Sequence, residues 1–99
     1  MGRVEHLAAF RADLQRQIRY LRERADEDRV QTLRTELADA TRLLARFPDA
    51  GTELSRDHAR VIRRLPLRRA PFYVLYAREA ARPDAVLCLR LFHVRQRAP

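Results

Sequence analysis

The sequence of 99 residues has no tryptophan, no lysine, one cysteine and only two glycines. The lone Cys88 excludes an internal disulfide, and its place among leucines reads as a small buried hydrophobe rather than a nucleophile. With two glycines there is no glycine-rich loop to cradle a phosphate. No low-complexity tract and no internal repeat occurs, which excludes a disordered or solenoid class. No apolar run approaches the ~20 residues of a spanning helix, so no membrane segment is expected. The opening "MGRVEHLAAFRADL" carries a histidine and an acid early and no apolar core before a cleavage site. It does not read as a secretory signal, and together with the single thiol this leads to an expected cytoplasmic location. His6 and His58 have no ligand spacing with Cys88 or with each other, so neither a metal nor a cofactor is expected. There is no Ser/His/Asp order and no carboxylate pair in an apolar setting.

What is present is charge of one sign, unevenly placed. All 21 basic residues are arginine. Residues 1–55 hold 10 arginines against 10 acids, whereas residues 56–99 hold 11 against 3, so the whole excess of +8 lies in the last 44 residues. A one-sided basic field points to an acidic or polyanionic partner. The apolar fraction of 46% is enough for a single modest core, as a chain this short buries roughly 60–70% of its unfolded surface. One domain over residues 1–99 is expected.

Arg3 to Leu7 reads as a short strand. Phe10, Leu14, Ile18, Leu21 and Ala25 recur at spacings of 4, 4, 3 and 4, the stripe of an amphipathic helix. "RADEDR" breaks the pattern and offers Asp26 or Asp28 as an N-cap. Val30, Leu33, Leu37, Ala40, Leu44 and Phe47 form a second stripe, which Pro48 ends at the turn "PDAG". Three strands follow: residues 59–67, with Pro66 at an edge or end; Phe72 to Arg78; and Ala85 to Arg95. In the last, Leu87, Leu89 and Leu91 alternate with Val86, Cys88, Arg90 and Phe92, and the leucine row is the expected floor for the helices. The fold expected is α+β: a short N-terminal strand, then a two-helix antiparallel hairpin packed on one face of a small antiparallel sheet.

Segments in this order resemble a known family. "GRV" at 2–4, "ADL" at 12–14, "RYL" at 19–21, "LLARFPDAG" at 43–51, "RRLPL" at 63–67 with "PFYVLYARE" at 71–79, and "VLCLRLFHVRQ" at 86–96 are similar to toxins of the ParE/RelE superfamily of bacterial type II toxin–antitoxin systems. The resemblance implies a toxin with a cognate antitoxin, in a hetero-oligomer with it, and a role in plasmid stabilisation. It also implies one of two activities. ParE-type members inhibit DNA gyrase, whereas RelE-type members are ribosome-dependent mRNA endonucleases. The endonucleases carry a basic residue just before the V-x-Y of the middle strand and often a tyrosine near the C-terminus. Here the first position falls on Tyr73 or Phe72, and no tyrosine follows His93. The gyrase-directed branch is therefore favoured, with no catalytic residue assigned.

Within that reading His93, Arg95 and Arg97 are the expected target-binding residues. Arg63, Arg64, Arg68 and Arg69 are the expected antitoxin-binding residues, through bidentate pairing with carboxylates. Arg63 and Arg64 must face opposite sides of a regular strand. Tyr73 and Tyr76 are assigned to packing. In the alternative endoribonuclease, with ribosome and mRNA as target, His93 transfers the proton and Arg63 or Arg90 holds the phosphate.

Overall fold

The structure, a computed structural model, describes residues 2–95. In chain order the elements are β1 (Arg3–His6), α1 (Ala8–Glu23), α2 (Glu27–Arg46), β2 (Thr52–Arg56), β3 (Arg60–Pro66), β4 (Phe72–Glu79) and β5 (Arg82–His93). The strands form one sheet in the order β1-β5-β4-β3-β2. Strands β2 to β5 are antiparallel neighbours, and β1 lies parallel to β5, so the sheet is mixed rather than purely antiparallel.

The helices pack on one face, as expected. Phe10 and Leu21 of α1 and Val30, Leu33, Leu37 and Leu44 of α2 meet Phe72, Val74, Tyr76, Val86, Cys88 and Leu91 of the sheet. Burial pushes the Cys88 thiol up to about 12, which keeps it protonated and inert. α1 stops two residues before the stripe predicts. Ala25, assigned to its apolar face, is exposed and has φ 54, in the left-handed region. It closes the helix: Asp26 N–H donates to the Leu21 carbonyl and Ala25 N–H to that of Arg22, the paired bonds of a left-handed helix terminus. Asp26 then caps α2 by accepting from Arg29 N–H at 3.3 Å. Phe47 lies past the end of α2 and is exposed, because the Leu43 carbonyl takes its N–H as the last bond before Pro48.

Two features differ from expectation. β2 pairs with β3 although every one of its residues is exposed, which removes the alternation that identifies a strand from sequence. And the leucine row of β5 is broken. Leu75 opposes Arg90 and Tyr76 opposes Cys88, so Leu89 is an extra residue, a bulge. The parity of β5 switches there: Val86 and Cys88 face the helices before it, and Leu91 faces them after it. Leu87, opposite Ala77, points to the other face.

The helix-free face is partly apolar, and arginines cover it. Tyr73 and Phe92 are buried there, 5.6 Å apart, with the Arg64 guanidinium over Tyr73 and that of Arg90 over Phe92. Tyr76, on the helix side, donates its hydroxyl to the Pro48 carbonyl at 2.9 Å and accepts Gly51 N–H at 2.8 Å. Gly51 is required by this approach, since a Cβ would stand 2.6 Å from the Arg64 carbonyl oxygen and 2.8 Å from the Tyr76 ring.

Candidate functional site

β5 ends at His93, opposite Phe72 at the start of β4. The two rings meet edge to face at 5.2 Å. His93 Nδ1 accepts the backbone N–H of Arg95 at 3.1 Å, a bond that places the proton of the neutral ring on Nε2. Val94 N–H donates to the Pro71 carbonyl at 2.8 Å. These bonds hold the chain beside Pro71 at the end of the β4–β5 pairing and leave Arg95 exposed two residues past His93. Arg97 lies outside the described residues.

His93 also lines a cleft of about 630 Å³ between the α1–α2 connection and the β3–β4 turn. Tyr20 and Arg24 come from one wall, Arg29 from the first turn of α2, and Arg69 from the β3–β4 turn; Leu21 and Phe72 lie beneath. The charged side chains along it are Arg24, Arg29 and Arg69, with no carboxylate among the lining residues. The Arg24 guanidinium lies 4.3 Å over the Tyr20 ring.

Two buried carboxylates fix this end of the molecule. Asp13 of α1 accepts Arg90 Nε at 2.7 Å, Arg90 Nη2 at 3.1 Å and the Leu91 backbone N–H at 3.0 Å, and it also pairs with Arg16. The bulge at Leu89 adjoins this contact, which pins β5 to α1 just before the strand delivers His93. Burial alone would raise the Asp13 pKa; the Arg90 and Leu91 hydrogen bonds outweigh it and hold the carboxyl below its usual range. Glu36 of α2 does the same for the β3–β4 turn, accepting Arg69 N–H at 2.8 Å and Ala70 N–H at 3.0 Å. Its pKa is likewise lowered, burial opposing and the two N–H donors prevailing.

The remaining sequence-selected arginines are distributed, not assembled. Arg63 and Arg64 do face opposite sides of β3. Arg63 is held inward: its guanidinium donates to the Gly51 carbonyl at 2.9 Å and stands 3.7 Å from the Asp49 carboxylate. Arg64 is exposed on the helix-free face. Arg68 and Arg69 project from the β3–β4 turn, both exposed. Arg90 is committed to Asp13. Thus His93 shares a cleft with Arg69, but not with Arg63, Arg64 or Arg90. Among the described residues no three of His, Cys, Asp or Glu are grouped as metal ligands.

Asp13, Glu36, Tyr20, Arg24 and Arg29 were not singled out from sequence. The carboxylates carry a detectable signal, since each falls on the apolar side of its helix: Asp13 between Phe10 and Leu14, Glu36 between Leu33 and Leu37. Tyr20, Arg24 and Arg29 flank a turn and have no periodic signature.

A family model described as ParE toxin of type II toxin-antitoxin system, parDE, matches residues 4–98. No curated protein and no solved structure matches the chain.

Proposed function

We propose, from the premise that the chain belongs to the ParE toxin family of type II toxin–antitoxin systems, that it arrests growth in the cytoplasm by inhibiting DNA gyrase. The family implies a cognate antitoxin. The target contact is assigned to the end of β5, with His93, Arg95 and Arg97 as contact residues. Arg64, Arg68 and Arg69 are exposed and suit the carboxylates of an acidic antitoxin segment. Arg63, turned inward, supports the β2–β3 end instead.

The observation that supports gyrase over mRNA is the departure from the endonuclease pattern, with Tyr73 or Phe72 where that pattern has a basic residue and no tyrosine after His93. Cleaving RNA at a 2′-hydroxyl needs a proton carrier and cations converging on one phosphate. Arg63 and Arg90, the arginines paired with His93 in the endonuclease reading, are held by Gly51 with Asp49 and by Asp13, and the cations that do line the His93 cleft are Arg24, Arg29 and Arg69.

The test is two parallel reactions with purified protein: gyrase supercoiling with a check for trapped cleaved DNA, and translation on programmed ribosomes with primer extension. Lost supercoiling or trapped breaks with intact mRNA is expected. Codon-phased mRNA cuts with unaffected gyrase would overturn the proposal, and a loss of those cuts in His93→Ala would then make His93 the proton carrier.

A further inference from the structure

The cleft beside His93 brings together two groups of residues that the sequence treats as separate surfaces. Arg69, an expected antitoxin-binding residue, and His93, an expected target-binding residue, line one depression. Its charged lining is of one sign, Arg24, Arg29 and Arg69, and its base is apolar, with Leu21 and Phe72. Tyr20, nearly half exposed, stands at the rim.

We propose that this cleft seats an acidic peptide segment, an apolar side chain flanked by carboxylates, and that the seated segment covers His93. The identification of that segment as the antitoxin's rests on the toxin reading above. The apolar residue packs against the exposed Tyr20 side chain at the rim, above Leu21 and Phe72. The flanking carboxylates pair with Arg24 and Arg69 and compete with Asp26, 3.2 Å from Arg29 Nε, for Arg29; the forked donors of all three match carboxylate geometry. A nucleic acid strand has equal use for the arginines but none for this base. Base stacking needs open aromatic faces, whereas Phe72 is 4% exposed and a face of Tyr20 is occupied by Arg24. Because His93 is part of the lining, the segment and the target cannot use it together. Neutralisation by this route is competitive: it needs no change in the fold.

The probe is a labelled synthetic peptide, glutamate-rich around a central leucine, titrated into the full chain by fluorescence anisotropy and followed by amide and His93 ring proton shifts. Expected are shifts at Tyr20, Thr32 and His93, and at least a ~10-fold loss of affinity in the Arg24→Ala/Arg29→Ala/Arg69→Ala variant. These side chains are exposed, so the variant retains its core. A peptide with serine for the leucine should bind more weakly by a similar factor. Unchanged affinity in the triple variant, or shifts confined to other surfaces, would overturn the proposal. So would loss of binding to a single-stranded oligonucleotide in that variant while peptide binding persists. Saturating peptide should also relieve the inhibition of gyrase; undiminished inhibition refutes the occlusion while leaving the toxin reading intact. Peptide bound in the cleft of a protein that affects neither gyrase nor mRNA refutes the toxin reading and leaves the cleft assignment standing.

Discussion

Single side chains decide where the elements stop and how they are joined. Ala25 holds a left-handed conformation that costs an L-residue about 1–2 kcal/mol and that glycine adopts freely. Ala25→Gly should therefore stabilise the protein, by about 0.5–1 kcal/mol after the extra unfolded-state entropy of glycine is subtracted. Urea unfolding at constant m-value checks this, and a lower midpoint would contradict the terminus described. Asp13 works in the opposite sense. Asp13→Asn leaves the carboxamide's N–H groups against the Arg90 donors and weakens the acceptor for Leu91 N–H. Arg90 is more than a third exposed, so the ion pair itself is screened, and the loss falls chiefly on the buried N–H. Destabilisation of about 2–3 kcal/mol is expected, read from the same unfolding curves. Neither residue was legible in these roles. A terminus that lacks glycine carries no turn signal, and an aspartate on an apolar stripe reveals a need for donors without naming the donor, which here lies 77 positions away.

At the scale of elements, periodicity carried the reading as far as each element had one buried side. Both helices and strands β3 to β5 were legible because core contacts impose a period of 3.6 or 2. β2 was not, because nothing on it is buried, and its place is set by backbone pairing with β3. The leucine row misled because one extra residue at Leu89 reverses the faces of β5, and no local composition marks it. The joints between helices and sheet are carboxylates, and this makes the assembly acid-sensitive. Asp13 and Glu36 have folded pKa values below their unfolded ones. The unfolded chain therefore binds their protons first as pH falls. Their stabilisation is complete above the unfolded carboxylate values, ~4, and is lost as pH falls through the lower folded values. His6, whose pKa burial and then Arg11 lower, adds a gentler loss beginning near pH ~6.5, where the unfolded histidine starts to charge. Urea midpoints measured from pH 7 to 3 should show both phases. His6→Gln should remove the upper one and Glu36→Gln should flatten the lower one; a midpoint independent of pH would contradict both assignments.

For the whole molecule, the charge asymmetry of the sequence acquires a geometry. The balanced half supplies β1 and the two helices, and the half with the +8 excess supplies most of the sheet, the β3–β4 turn and the end of β5. Much of that excess is turned toward solvent, at Arg64, Arg68, Arg69 and Arg95, even though Arg63 and Arg90 are spent on internal pairs. The strongly basic side of the molecule was thus legible from charge counts alone, whereas the cleft was not, because it is assembled from residues on either side of two distant turns and takes Arg24 and Arg29 from the balanced half. Exposed cations of one sign act mainly on the approach of a partner, since their field is cut off within about 10 Å at 0.1 M salt and about 3 Å at 1 M. Association with an acidic partner should therefore slow at least ~10-fold between low salt and ~0.5 M, with little change in the dissociation rate. Surface-resonance kinetics with the immobilised antitoxin separate the two. An effect of salt confined to faster dissociation would place the recognition in close interfacial ion pairs instead, and would return Arg63, the inward-facing arginine of β3, to the contact surface.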